Sequence, residues 1–272
     1  MTDSLEFAQA AEMLWPLSYA EEWDAPGFSV HIPSEISRVL LSVDVTGAVV
    51  AEAAQKGCQL ILSHHPFLLR GTSNVNFDDL KGNVLQAAVS AGISLYSAHT
   101  NADVVERGVS DTLARALGLV DVMPLSATEG SDTGHGRLGR LEQEVSLKEF
   151  AARLAELLPF SPRGVQVAGD PDQIVSTVAL CGGAGDSFIQ DAFESGADVY
   201  ITSDLRHHVT LDAISRPRHS AFACIDVSHW AAESLWLSVA ASQLSAQLEN
   251  VEFVLSEIVT DPWVFSINRG NQ

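Results

Sequence analysis

The chain has 272 residues, of which 46% are hydrophobic, and its formal net charge is −20. This length and composition predict one large or two ordinary domains with a substantial core, and they argue against a disordered chain. A surface this acidic repels phosphate backbones, so nucleic-acid binding is disfavoured. A small anionic substrate stays possible, because a bound metal ion inverts the local charge.

The cysteines and the N-terminal segment bear on the cellular compartment. Cys58, Cys181 and Cys224 form no C-x-x-C pair and lie in apolar runs, which favours core residues over disulfides or a thiolate zinc site. The first residues do not resemble a secretion signal, and no apolar run approaches the roughly 18 residues that span a bilayer. We therefore expect a cytoplasmic protein with no membrane partner.

The first half of the chain alternates between helical and strand patterns. The predicted helices cover residues 5–15, 49–55, 82–91 and 108–117, and the predicted strands cover residues 37–44, 58–62 and 93–97. Apolar strands separated by helices indicate parallel β-α-β units.

The second half repeats this pattern after an interruption. Residues 126–139 are rich in Gly, Ser, Thr and Asp, which predicts a loop and a boundary. A capping box at Ser146 begins a helix that ends before Pro159. The segment from Ser176 can then be laid over the segment from Ser37, which indicates a weak internal duplication. A last predicted strand precedes His229, and a helix follows over residues 231–248.

These patterns predict an α/β fold of two similar, intertwined lobes with mostly parallel sheets. We expect the first lobe to cover residues 1–125, completed by residues 226–272, and the second to cover residues 126–225. Open α/β sheets bind ligands at the carboxyl ends of their strands. We therefore expect a metal cleft between the lobes.

Polar residues follow three of the predicted strands. His64 and His65 come directly after an apolar strand, and Pro66 restricts the turn so that both rings can converge on one cleft. His99 and Asp103 follow the next strand, where Asp103 is an oxygen ligand or an anchor for a ligating histidine, or alternatively a helix cap or a turn residue. Solvated turn histidines are the alternative for the first pair.

The third cluster holds His229 and Glu233, which are four residues apart and therefore share one helix face. With His64, His65 and Asp103 they offer three imidazoles and two carboxylates. Five protein ligands for two ions leave positions for water, as in catalytic rather than structural sites. This donor set suits Zn, Mn, Fe, Co or Ni better than Mg.

Motifs along nearly the whole chain resemble the Nif-three-like family, also called YbgI-like and often labelled GTP cyclohydrolase I type 2 homologue. The matching segments are S-H-H-P, H-T-N-x-D, the late H-x-x-x-E, W-D-A-P-G from Trp23, G-R-L-G from Gly136, C-G-G-A-G from Cys181 and A-D-V-Y-I-T from Ala197. The resemblance implies a dinuclear metal site at His64, His65, Asp103, His229 and Glu233, with Glu233 bridging, in a ring-shaped homohexamer. Ala25, Ser203-Asp204 and Ser228 depart from the family pattern without removing a metal ligand.

Two functions follow as hypotheses. The first is a dinuclear metal-dependent hydrolase that acts on a nucleotide or another phosphorylated small molecule, with Glu233 and His99 as the catalytic candidates. Arg70, Arg107 and Arg137 are candidates for meeting a phosphate. The alternative is a non-catalytic metal-binding or regulatory scaffold.

Some polar positions keep two interpretations each. His99 is alternatively structural, and Asp44 either faces the cleft or forms a turn. The Gly182–Gly185 run either cradles a phosphate or makes a tight turn. His207 and His208 either line a pocket or begin a helix.

Overall fold

The computed structural model describes residues 2–128, 132–216 and 221–267. The chain divides into two compact units: unit 1 comprises Met1–Val105 and Leu237–Thr260, and unit 2 comprises Glu106–Trp236 and Asp261–Gln272. The extents of the two lobes given above stay a prediction.

The secondary structure alternates between helices and strands along most of the described chain. The helices are α1 Ser4–Leu14, α2 Gly47–Gln55, α3 Leu80–Ser90, α4 Thr100–Asp103, α5 Val109–Ala116, α6 Leu147–Leu157, α7 Ile189–Glu194, α8 His207–Ile214 and α9 His229–Gln247. The strands are β1 Thr2–Asp3, β2 Gly27–Val30, β3 Glu35–Ile36, β4 Arg38–Ser42, β5 Leu60–Ser63, β6 Ser94–Ser97, β7 Val120–Met123, β8 Ser126–Ala127, β9 Gly134–His135, β10 Arg137–Ser146, β11 Gln166–Ala168, β12 Ile174–Ala184, β13 Val199–Ser203, β14 Ala223–Val227 and β15 Glu252–Leu255.

Unit 1 is built on a sheet with the strand order β15-β4-β5-β6-β2. All pairs are parallel except β2 with β6 at one edge. Every residue of β5 and β6 is buried, as expected for parallel strands that are covered on both faces. Side chains of α2 and α3, including Val49 and Val84, pack on Leu40 and Ile61 of the sheet.

Unit 2 is built on a sheet with the strand order β11-β14-β13-β12-β10-β7. The central strands β12, β13 and β14 are parallel, and the other pairs are antiparallel. Leu147, Phe150 and Leu154 of α6 lie in one core cluster with Val178 and Ile201. The 3.6-residue period of these apolar positions is what places α6 on the sheet.

The two units share one chain path. In unit 1 the path is β4-α2-β5-α3-β6, and in unit 2 it is β12-α7-β13-α8-β14. The prediction of an α/β fold with parallel sheets built from similar β-α-β units is thereby confirmed.

Other expectations need correction. The predicted loop over residues 126–139 includes residues 129–131, which lie outside the described residues; the remainder is not a plain loop, because β8 pairs with β9 there and β10 begins at Arg137. The Gly182–Gly185 run is not a tight turn either. Its first part is the buried end of β12, where the register with β13 shifts. The three cysteines are buried and unbridged, as predicted. Among the described residues, no helix combines the length and the apolar character needed to cross a membrane.

Candidate metal centre

The parallel strands β5 and β6 bring three histidines together in unit 1. Ser63 and Ser97, the last residues of the two strands, are paired in register. His64, His65 and His99 follow within two residues, so they emerge at the same sheet edge. Their ring centroids are 5.1 to 5.4 Å apart, and each offers a nitrogen within 4.8 Å of the others. This cluster has the composition and spacing of a metal-binding group.

The Nδ1 atoms of the first two rings are held by acceptors. His64, which is buried, donates from Nδ1 to the main-chain oxygen of Ala98 at 2.9 Å, and His65 donates to Asp44 Oδ1 at 2.8 Å. A carbonyl and a carboxylate only accept, so Nδ1 carries the proton and Nε2 carries the lone pair when the ring is neutral. Metal-ligating histidines are usually oriented in this way.

Asp24 holds the third ring. Its Oδ1 accepts from His99 Nδ1 at 2.8 Å, and its Oδ2 accepts from the backbone and hydroxyl of Thr100. Burial favours the neutral carboxyl, but the hydrogen bonds from His99 and Thr100 outweigh it and lower the pKa of Asp24 to about 2. Asn101 fixes the turn, because its side chain accepts from His99 N and donates to Trp15 O.

Asp103 lies at the end of α4, beside the histidines. Its Oδ1 is 3.6 Å from His64 Nε2. Two ligands with metal bonds of about 2.1 Å lie about 3.0 Å apart in octahedral geometry and about 3.4 Å apart in tetrahedral geometry. The pair is thus close to the separation of two ligands on one ion.

Unit 2 presents a second donor pair at the end of β14. His229 begins α9, and its Nε2 lies 2.8 Å from Oε1 of Glu233, one helical turn further on. Glu233 is buried, whereas His229 is partly exposed. His229 Nδ1 donates to Asp204 Oδ2 at 2.7 Å, and this hydrogen bond is the main reason why the pKa of Asp204 is lowered. The His229 ring therefore has the same orientation as the rings in unit 1.

Gly183 of β12 borders this pair. Its φ is +73°, and a Cβ placed there would lie 2.5 Å from Glu233 Oε1 and 3.2 Å from His229 Nε2. Both the backbone conformation and the space therefore require glycine. Thr202 fixes the strand by donating from its hydroxyl to Gly183 O at 2.9 Å. The Gly-rich motif thus makes room for the two donors.

The structure places the predicted ligands in two sets. His64, His65 and Asp103 lie together in unit 1 with His99, and His229 and Glu233 lie together in unit 2. Asp44 accepts a hydrogen bond from His65 Nδ1, which favours the functional interpretation of Asp44 over that of a plain turn residue. His207 lines a 310 Å³ pocket in unit 2.

Other residues were missed or misjudged by the sequence interpretation. Arg137 is buried and bonded to Asp111 and to main-chain oxygens, so it is a structural residue rather than a phosphate contact. Asp24 and Asp204 were missed as anchors of histidines. The signals for them were the W-D-A-P-G motif and the internal duplication, which places Ser203 and Asp204 at a strand end equivalent to that of His64 and His65.

Together the fold and the donor sets define an α/β protein with histidine and carboxylate groups suited to metal binding. The sequence model for Duf34/NIF3 (NGG1p interacting factor 3) matches residues 3–262. The chain belongs to this family, which confirms the resemblance seen in its motifs.

Relatives and solved structures agree with this assignment. A Streptomyces coelicolor protein named GTP cyclohydrolase 1 type 2 homolog is 41% identical over 266 residues, which cover 95% of this chain and 92% of the relative. The Bacillus cereus protein related to NIF3 has a TM-score of 0.89 at 24% identity and covers 97% of this chain and 99% of its own. Protein ybgI, described as of unknown function, has a TM-score of 0.79 at 21% identity, with coverage of 96% and 100%. At these identities the two structures show the fold alone.

Proposed function

We propose that this protein is a metal-dependent hydrolase that holds two divalent ions through His64, His65, Asp103, His229 and Glu233. Zn, Mn, Fe, Co and Ni all suit this mixture of imidazole and carboxylate donors. Bound ions would supply Lewis acidity and lower the pKa of a bound water toward neutrality. The family resemblance also supports a homohexamer as the assembled form.

One observation carries the proposal. In His64, His65, His99 and His229 alike, Nδ1 donates to a carbonyl or carboxylate oxygen. A histidine that only packs in a core needs no such uniform choice of nitrogen. The shared pattern sets the Nε2 lone pairs for coordination, and carboxylate partners also increase their basicity.

The residues of the chain have separable roles in this proposal. Glu233 is buried and would be costly to keep charged without a cation, so it favours ion binding there. His99 is assigned to substrate contact or proton transfer, because it is partly exposed and Asp24 orients its ring. Both residues are therefore the catalytic candidates.

The substrate class proposed is a nucleotide or another phosphorylated small molecule. The name of the Streptomyces coelicolor relative points to GTP, and the net charge of −20 disfavours nucleic acid as a partner. Bound divalent ions would offset that charge locally for a small phosphorylated molecule.

The test is metal content and turnover in Glu233→Gln. Glutamine keeps the shape of the side chain and removes its charge, and Glu156→Gln makes the same change at an exposed position of α6 as a control. Untagged wild type and control should each bind two ions per chain after reconstitution with Zn, Mn or Fe. Glu233→Gln should bind fewer ions with an unchanged circular dichroism spectrum.

Turnover separates the hydrolase from the scaffold. We expect the reconstituted wild type to hydrolyse GTP or a member of a panel of phosphorylated metabolites, and Glu233→Gln to lose that activity. Metal binding without any turnover across the panel would favour the scaffold. A wild type that takes up no metal would overturn the proposal itself.

A further inference from the structure

A pocket of about 550 Å³ lies in unit 1 beyond the histidine cluster. After His65 the chain runs through a connecting segment into α3, and the pocket lies between this segment and the start of the helix. Its volume is within the roughly 300–1,000 Å³ of small-molecule sites. The residues that line the pocket all come from positions 67–85 of the chain.

The wall of the pocket is largely apolar although much of it faces solvent. Phe67 forms a buried part of the wall, while Leu69, Val75 and Leu80 are 38%, 49% and 78% exposed. A concave group of exposed apolar side chains on a strongly acidic protein is unusual, and such groups mark binding sites. The pocket therefore suits a ligand with an apolar body.

Three charged residues line the pocket, and two of them, Arg70 and Lys81, are cations. Lys81 Nζ lies 4.4 Å from the centre of the Phe67 ring and donates to Phe67 O at 2.5 Å. An ammonium group has three N–H donors, so two can still reach a ligand. Arg70 is exposed at the same pocket. Asp79 is the one acidic lining residue, and its Oδ1 caps α3 by accepting from Gly82 N.

The pocket is maintained by a close contact between the connecting segment and α3. A Cβ at Gly82 would lie 1.9 Å from Asn76 O, so only glycine lets the segment approach the helix this closely. Gly71, in the same segment, has nothing within 4 Å of its Cβ position. The contact at Gly82 shows that the shape of the pocket depends on one particular backbone approach.

We propose that unit 1 binds a small amphipathic anion here, with its apolar body against Phe67, Leu69, Val75 and Leu80 and its anionic group at Lys81 and Arg70. The anionic group is a carboxylate or a phosphate, either of which a lysine and an arginine recognise. No residue of this site belongs to the ligand set of the proposed metal centre, so the two proposals stand separately.

The experiment is displacement of anilinonaphthalene sulfonate, a fluorescent probe with an apolar aromatic body and an anionic sulfonate, from the full chain. Octanoate and octyl phosphate should displace it, whereas octanol, with the same chain and no charge, should displace it much less. The ratio of the concentrations at which octanoate and octyl phosphate displace the probe identifies whether Lys81 and Arg70 prefer a carboxylate or a phosphate. Measurements before and after metal removal by a chelator should agree.

Variants locate the binding. Arg70→Met/Lys81→Met should weaken the binding of octyl phosphate at least about fourfold, since each exposed ion pair contributes roughly two- to fivefold. Lys148→Met, which removes an exposed lysine in unit 2, should leave binding unchanged. Gly82→Ala should weaken the binding of both anions, while Gly71→Ala should leave it unchanged.

Three results would overturn the proposal. They are displacement by octanol that equals displacement by both octanoate and octyl phosphate, unchanged affinity in the double variant, and no displacement by any of the three compounds. Because the double variant changes only exposed side chains, its fold should survive even if that of Gly82→Ala does not. Failure of metal uptake would leave this test unaffected.

Discussion

Asp204→Asn tests whether the carboxylate behind His229 tunes a metal ligand. The substitution keeps the shape of the side chain and an oxygen that can accept from His229 Nδ1, but it removes the charge. Asp204 has a φ of +58°, and asparagine tolerates that left-handed conformation well. The variant should therefore fold normally, so that any change reports on the charge.

The expected magnitude follows from the surroundings of Asp204. The hydrogen bond to His229 is 2.7 Å long and lowers the pKa of Asp204, so the carboxylate is ionised at neutral pH. Losing such a partner costs about 10- to 100-fold in metal affinity. Arg163 Nη1 lies 3.7 Å away, and the Asp204 side chain is 49% exposed. Arg163 and the solvent both screen the charge of Asp204, so we expect the affinity for the metal to fall about tenfold, which corresponds to about 1.4 kcal/mol.

The assay is zinc competition against a colorimetric chelator at neutral pH. Asp121→Asn is the matched control, because Asp121 is an exposed aspartate of unit 2 that also has a positive φ, of 53°. The control should keep the wild-type dissociation constant. An equal constant for Asp204→Asn and wild type would refute the argument that this carboxylate tunes His229.

Three further outcomes are expected. Gly183→Ala should reduce the metal content per chain, since the new Cβ would meet Glu233. The control Gly164→Ala, at a φ of +64° with open space around it, should lower stability by only about 1 kcal/mol and leave the metal content unchanged. Equal metal content in the two variants would contradict this prediction. Asp111→Asn should destabilise the fold by about 3 kcal/mol at pH 7, because it leaves a buried arginine poorly paired. Burial raises the pKa of Asp111, but its hydrogen bonds and the nearby arginines outweigh burial and lower the pKa below its usual value, so this contribution is fully present above pH 4 and is lost as the pH falls through the lowered pKa. Urea denaturation should show the difference in stability from wild type narrowing as the pH is taken below 4, and a constant difference would contradict the assignment. Asp24→Asn should reduce turnover of the reconstituted enzyme more than its metal content, because it frees the ring of His99; equal losses would instead make His99 a ligand.

The periodicity of the sequence predicted the β-α-β units well because buried parallel strands are continuous apolar runs. The ends of β5, β6 and β14 were therefore visible from the sequence, and so were the polar residues that follow them. The duplication between the segments from Ser37 and Ser176 also indicated the shared chain path. These are local signals, which depend on neighbouring residues in the chain.

The partners of the histidines could not be read in the same way. Asp24 lies 75 residues before His99, and Asp204 lies 25 residues before His229. Such contacts depend on how strands are ordered in a sheet, which hydrophobic periodicity does not specify. The strand character of Cys181–Ala184 was missed for a related reason. Glycine disfavours strands in isolation, and the need for it is visible only in the fold, where a Cβ at Gly182 would meet Val109 and a Cβ at Gly183 would meet Glu233.

The histidine anchors differ in how they respond to mutation over evolutionary time. The acceptor for His64 is the main-chain oxygen of Ala98, which no substitution at that position removes. Asp44, Asp24 and Asp204 are side chains, and a single nucleotide change can replace each of them. Substitutions at these three positions can therefore change the orientation and basicity of three imidazoles independently, while the orientation of His64 is inherited with the backbone of the sheet.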